Sequence, residues 1–364
     1  MLPELSSRIL AGWRDLFPIA DKPETLCYMG IPGSVEGGTT TFLAFSKGCA
    51  RPSFVVKIHR DPAEQTRVFI ERDILNHLQE KGGLLAESVP KLILCEKIAG
   101  QWVLVESVLD GSPMTATMTD DGMPELKEAK GNISLAASWL VELRAATRAD
   151  STPLLGQLKE GGLKMISEFS NTFELSRSEK DYLSEIGDSL KATEGFGWFI
   201  QHGDFCRHNI LVSQNVGSIE EMGVIDWTFG KRAGLPLHDL FFFITTYFLQ
   251  IRKGHGLTGF IQAFEATFFD RNPFSKMVKQ CVSKHCLKVD VDASQVKNLF
   301  GMFVVERAMF EFGQMVQCAK RGGLPRFTLY LASQENLDYS QATKAQFWIH
   351  FFKTFVASRG KFLT

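Results

Sequence analysis

Two stretches decide how this sequence is read: His202-Gly203-Asp204-Phe205-Cys206-Arg207-His208-Asn209-Ile210-Leu211-Val212 and, fourteen residues after Val212, Asp226 within Gly223-Val224-Ile225-Asp226-Trp227. Phosphoryl transfer needs a carboxylate that orients and deprotonates a hydroxyl. It also needs a second carboxylate and an amide oxygen that hold Mg2+ on the phosphates. Asp204 and Asn209 fit a short loop carrying the first carboxylate and the amide. Ile210–Val212 and Met222–Ile225 read as a hairpin that returns Asp226 beside Asn209.

Upstream, Val55-Val56-Lys57-Ile58 ends a β-prone run, and Glu71 follows fourteen residues after Lys57 on a segment with helical periodicity, residues 63–80. A lysine on a sheet, fixed by a helix carboxylate, neutralises charge on phosphate oxygens. Alone, Lys57 reads as a solvated strand-edge residue; its place ahead of the two decisive stretches gives it the functional reading. Glu64, Asp73 and Glu80 share the helix with Glu71 and compete for the role. Two glycine-bearing segments, Gly30-Ile31-Pro32-Gly33-Ser34 and Gly37-Gly38-Thr39-Thr40-Thr41, are able to cover phosphates with backbone amides, and equally able to make ordinary hairpin turns.

Around these motifs the chain reads as an amphipathic helix over 5–17, strands at Thr39–Phe45 and Phe54–Ile58, the helix 63–80, and strands at Val89–Cys95 and Trp102–Val108. Residues 110–132 lack a clean period and read as a link. Helical periodicity returns at 133–147, 157–170 and 177–191, and residues 238–358 are mainly helical, with most of the 30 Phe there or close by. Phe241-Phe242-Phe243 reads as core.

Composition narrows the class. The 364 residues are 45% hydrophobic with 40 Lys and Arg against 41 Asp and Glu, which excludes disorder and gives no bulk charge for nucleic-acid binding. The longest apolar stretch, Leu240–Ile251, is too short and too polar for a membrane span. No secretory signal is read at the start, and the odd number of cysteines, 7, is scattered without CxxC, as suits reduced thiols in a cytoplasmic protein. Cys281, His285 and Cys286 are close together but match no common zinc spacing. The charge is unevenly spread: residues 231–364 hold 18 Lys and Arg against 9 Asp and Glu, leaving 22 against 32 in residues 1–230.

The HGDFCRHN and VIDW wording resembles the aminoglycoside phosphotransferase and choline kinase-like family of small-molecule kinases. The resemblance implies that Asp204 is the catalytic base, that Asn209 and Asp226 hold Mg2+, and that His202 supports the loop. It further implies that Asp239, in Pro236-Leu237-His238-Asp239-Leu240, braces the loop from a buried position. Gly37 and Gly38 resemble the family's phosphate loop. Glu106-Ser107-Val108 resembles the hinge that binds the adenine edge through backbone groups, so Glu106 and Val108 join Lys57 and Glu71 as nucleotide-binding residues. Cys206 stands where the family often has a histidine, and Thr228 where it often has a glutamate.

The expectation is therefore a two-lobed, protein kinase-like α+β fold: an N-lobe of residues 1–106 with an antiparallel sheet and one helix, and a mainly helical C-lobe of residues 107–364, with ATP between them. Mg2+ is the expected metal, and GTP remains open as the nucleotide. The partner is a small-molecule hydroxyl acceptor, with neither nucleic acid nor membrane involved. Few acids are available in residues 231–364 to pair a polycation, so the favoured acceptor is neutral or anionic and sugar-like. An aminoglycoside or amino alcohol of the choline type is the alternative. A nucleotide-binding pseudokinase scaffold is the reading from a different class; it has no need of Lys57, Asp204, Asn209 and Asp226 together.

Overall fold

The computed structural model describes residues 1–18, 20–31, 38–60, 65–115, 124–148, 152–192, 199–213, 222–249, 256–320 and 346–363. The chain divides into two compact units, Met1–Pro113 with Asn209–Lys231, and Met114–His208 with Arg232–Thr364.

Unit 1 is built on a five-stranded antiparallel sheet of order β1-β2-β3-β5-β4, where β1 is Leu26–Gly30, β2 Thr39–Ser46, β3 Phe54–His59, β4 Leu92–Ile98 and β5 Gln101–Glu106. Strand alternation sets its two faces. Phe54, Val56 and Ile58 of β3 and Val103 and Val105 of β5 are buried with Leu5, Ile9 and Trp13, which come from α1 (Leu2–Ala11) and α2 (Trp13–Leu16). Each such side chain contributes about 1.5–3 kcal/mol by leaving water. The single helix expected over 5–17 is thus two, divided at Gly12.

The opposite face receives Lys57 from β3 and Leu104 and Glu106 from β5. Lys57 pairs with Leu104 in the ladder and Val55 with Glu106, so Glu106 lies on the diagonal from Lys57. Helix α3 (Gln65–Lys81) buries Val68, Glu71, Ile74, Leu75 and Leu78, a stripe in which Glu71 is the only charged residue. The short helix α4 (Gly83–Glu87) follows.

A second antiparallel sheet completes unit 1: β6 (Ser112–Pro113), β7 (Ile210–Val212) and β8 (Met222–Val224), in that order. Val224 N–H also donates to Ser88 O at 2.7 Å. The compact units therefore divide the chain differently from the expected boundary at 106/107. The hairpin that carries Asp226 finds its hydrogen-bond partners within the first 113 residues and clusters with them.

Unit 2 is helical: α5 (Leu126–Thr147), α6 (Thr152–Thr172), α7 (Arg177–Ala192), α8 (His238–Leu249), α9 (Gly256–Phe268), α10 (Pro273–Val289), α11 (Val296–Lys320) and α12 (Phe347–Ser358). Helix α5 begins earlier than its periodicity indicated, inside the expected link, because its first turn is solvated: Leu126 and Lys127 are exposed, Glu128 is half-buried and Ala129 is the first buried residue. The core is aromatic. Phe264 stacks on Phe351 at 4.2 Å between ring centroids and 4° between planes, and Phe300 meets Phe268 at 4.8 Å and Phe362 at 4.6 Å. Every residue of α8 except Thr246 is buried, including Phe241, Phe242 and Phe243.

Among the described residues, no helix is long and apolar enough to cross a membrane. Six cysteines, including Cys206, Cys281 and Cys286, are free of disulfides. His285 Nδ1 lies 3.1 Å from Ala137 O, and among the described residues no group of three or more His, Cys, Asp or Glu side chains is arranged to hold a metal.

Candidate active site

In unit 1, Glu71, Glu106 and Asp226 converge on Lys57. Its ammonium forms a buried ion pair with Glu71 and lies 3.2 Å from Glu106 Oε1 and 3.8 Å from Asp226 Oδ1. Three carboxylates thus surround one cation. Glu71 and Glu106 are shut away from solvent, whereas the Asp226 side chain is 42% exposed and is the carboxylate of the three that a ligand can reach. Burial pulls the Lys57 pKa down, but Glu106, Glu71 and Asp226 together outweigh it and hold it above the ordinary lysine value. Burial raises Glu71, against the opposing pull of Lys57, and the like charges of Glu106 and Asp226 add to the rise.

Backbone contacts hold the β7–β8 hairpin in this arrangement. Ile225 N–H donates to Asn209 O at 2.9 Å, which sets the residue before Asp226 against Asn209 as the hairpin expectation required. Asp226 has φ of 64°, in the left-handed region that Asp tolerates better than most residues. Trp227 N–H then donates to Glu71 Oε1 at 3.1 Å, and the Thr228 hydroxyl lies 2.6 Å from Asp226 Oδ1 and 3.2 Å from Glu71 Oε2. Threonine at 228 supplies a donor to two acids; a glutamate there would add a fourth carboxylate to a cluster that already holds three.

The Asp226 carboxylate and the Asn209 amide are hard oxygen donors, the type that Mg2+ takes together with phosphate oxygens. The excess of acid around Lys57 also favours added positive charge, so the residues present fit that ion.

Gly38, at φ of 76°, closes the turn before β2, and its carbonyl accepts Arg60 N–H at 2.9 Å. Gly37 lies outside the described residues. Val108 is half-buried just beyond β5, where Ser107 N–H donates to Lys91 O at 2.9 Å.

In unit 2 the loop before Asn209 is held by Asp239, in the first turn of α8. Its carboxylate accepts His202 N–H at 2.7 Å and Gly203 N–H at 3.0 Å. His202 Nδ1 in turn accepts Asp204 N–H at 3.2 Å. Phe205 anchors the loop in the core, stacked on Trp139 at 5.4 Å with 15° between planes. Glu306 of α11 lies 3.4 Å from Gln201 Nε2, and Arg307 donates from Nη1 to Gly203 O at 3.0 Å.

Sequence reasoning overlooked three of these contacts: the turn of the Glu106 side chain toward Lys57, the bridge made by Thr228, and Arg307. A signal for the last was present, since Glu306-Arg307 is the one charged pair in the otherwise apolar run Leu299–Phe310.

Similar solved structures include an aminoglycoside phosphotransferase from Streptomyces rimosus in complex with ADP and streptomycin. It is 13% identical, the match covers 81% of this chain and 96% of that one, and the TM-score is 0.45. A protein described as a fructosamine-3-kinase from Haemophilus somnus is 12% identical, with 96% and 97% of the two chains covered and a TM-score of 0.46. Among curated proteins none matches. An antiparallel sheet with α3 behind it, joined in sequence to a mainly helical unit, is the protein kinase-like α+β arrangement. The model of the phosphotransferase enzyme family matches residues 39–273, well over half of the sequence, and the chain belongs to that family of small-molecule kinases.

Proposed function

We propose that this protein transfers the γ-phosphate of ATP to a hydroxyl of a small neutral or anionic, sugar-like metabolite. The observation that carries the reading is the buried Lys57–Glu71 pair with Asp226 beside it and Asn209 bonded to the residue before Asp226. Lys57 meets the phosphate oxygens, with Glu71 fixing its ammonium. Gly38, with Gly37, covers the phosphates, and the backbone at Glu106 and Val108 takes the adenine edge. Asn209 and Asp226 hold Mg2+, which when bound adds positive charge to the phosphates. Asp204 orients the acceptor hydroxyl and takes its proton. The oxygen–phosphorus bond to the acceptor then forms as the bond from the γ-phosphorus to the ADP oxygen breaks. His202 and Asp239 keep the loop in place.

The acceptor class follows from charge. A polycation needs several free carboxylates, because desolvated ammonium groups must be paired. Residues 231–364 have 9 acids, and two of them already have partners: Asp239 in the loop backbone and Glu306 in Gln201.

The test is a phosphotransfer screen against pooled sugars, amino alcohols, nucleosides and aminoglycosides with Mg-ATP and Mg-GTP, followed by kcat/KM for each acceptor. A sugar-like acceptor is expected to lead. Aminoglycosides ahead by about tenfold, roughly 1.4 kcal/mol of transition-state preference, would overturn the acceptor class.

A further inference from the structure

We propose that Arg307 is a positioning residue for phosphotransfer, holding the peptide between Gly203 and Asp204 while Asp239 holds the one before it. The inference rests on Asp204 being the base.

Arg307 lies on α11, far in sequence from the loop, and is 7% exposed. Its guanidinium packs over the rings of Phe242 at 4.1 Å and Phe310 at 4.6 Å. Nη1 donates to Gly203 O at 3.0 Å, and Nε has no hydrogen-bond partner among the described residues. Asp204, Glu311 and Glu306 supply the negative field around it. A buried, incompletely bonded guanidinium is an expensive way to fill an aromatic pocket, since an apolar side chain of similar volume serves stability as well or better. The contact that offsets this cost is its bond to Gly203.

That bond completes a set. The carbonyl of Gly203 and the N–H of Asp204 belong to one planar peptide group. Arg307 holds its oxygen, and His202 Nδ1 accepts its N–H at 3.2 Å. The preceding peptide is held at the Gly203 N–H by Asp239 Oδ1 at 3.0 Å. Gly203 itself has φ of 79°, which a residue with a Cβ adopts only under strain, so without these contacts this link is the one most free to turn. With both peptides fixed, the Asp204 carboxylate moves only by rotation about its own N–Cα bond and its side-chain bonds.

The experiment is a mutant cycle on ADP formation from Mg-ATP with water as the acceptor, using Arg307→Met, Arg307→Lys, Asp204→Asn and the doubles. Arg307→Met is expected to lower kcat by about tenfold or more with KM for Mg-ATP within about twofold, and Arg307→Lys to recover part of the loss. In the Asp204→Asn background, itself about a hundredfold slower, the Arg307 change is expected to cost less than about twofold, because its effect passes through Asp204. Wild-type kcat in Arg307→Met, or the same loss with and without Asp204, would overturn the proposal. If Arg307→Met fails to fold, Arg307→Lys runs the same cycle. Amide exchange over residues 202–205 is followed in parallel and is expected to quicken in either variant; unchanged exchange also overturns the proposal. Equal ADP formation by wild type and Asp204→Asn would instead remove Asp204 as the base, and exchange would then decide whether Arg307 holds the loop.

Discussion

The Lys57 cluster in unit 1 and the Asp204 loop in unit 2 hold their charged groups by opposite means. Around Lys57, three carboxylates crowd a single ammonium, and side chains do nearly all the bonding. At the loop, one acid and one arginine grip backbone groups. A cluster with surplus acid has room for a cation and changes when one arrives. A loop whose peptides are bonded at both ends needs nothing added and keeps its shape. On the proposed reading, the first receives Mg2+ and phosphates, and the second presents a base.

The surplus of acid is most directly exposed by removing the cation. Lys57→Met leaves Glu71 and Glu106 buried without their partner, and is expected to cost about 3–5 kcal/mol of stability. Adding Glu106→Gln to that variant is expected to recover part of the loss, because one stranded charge is gone. Thermal melting of both variants measures this, and a double variant no more stable than Lys57→Met would break the contrast. The metal side is next in size. ATP with Mg2+ should raise the melting temperature more than ATP with chelator, the bound complex being stabilised by about 2.7 kcal/mol at a hundredfold excess over Kd, and Asp226→Ala should abolish the Mg2+-dependent increment. An intact increment would remove Asp226 as a ligand. Thr228→Val is the mildest: it deletes the donor 2.6 Å from Asp226 and should cost about 1 kcal/mol, again by melting, while a change of no size would leave the bridge without energetic weight.

What the sequence made legible follows the period of each element. β3 and β5 were readable because alternation and β-branched residues coincide there, and Glu71 was separable from its rivals once the 68, 71, 74/75, 78 stripe is drawn, since Asp73 and Glu80 fall off the buried face. β1 was missed because Leu26–Gly30 is mostly exposed and lacks an apolar alternation. β6 has only Ser112 and Pro113, too few residues to show a pattern. The loop wording fixed Asp204, Asn209 and Asp226 as candidates, yet nothing local to it pointed to Arg307. A bond across more than a hundred residues leaves no periodic trace; only a charge set among apolar neighbours marks it.

The composition of unit 1 also bears on how the protein is made. Its second sheet pairs β6 with β7, and the whole of Met114–His208 is translated between them. At about 5–20 residues per second, the five-stranded sheet and α3 emerge with Lys57, Glu71 and Glu106 several seconds before Asn209 and Asp226 exist. A nascent chain paused in that interval carries the lysine and its two buried acids, but neither oxygen donor proposed for Mg2+. On the proposed reading, competence for the metal nucleotide is gained only once the ribosome has passed Asp226, although Lys57, Glu71 and Glu106 are all made before residue 107.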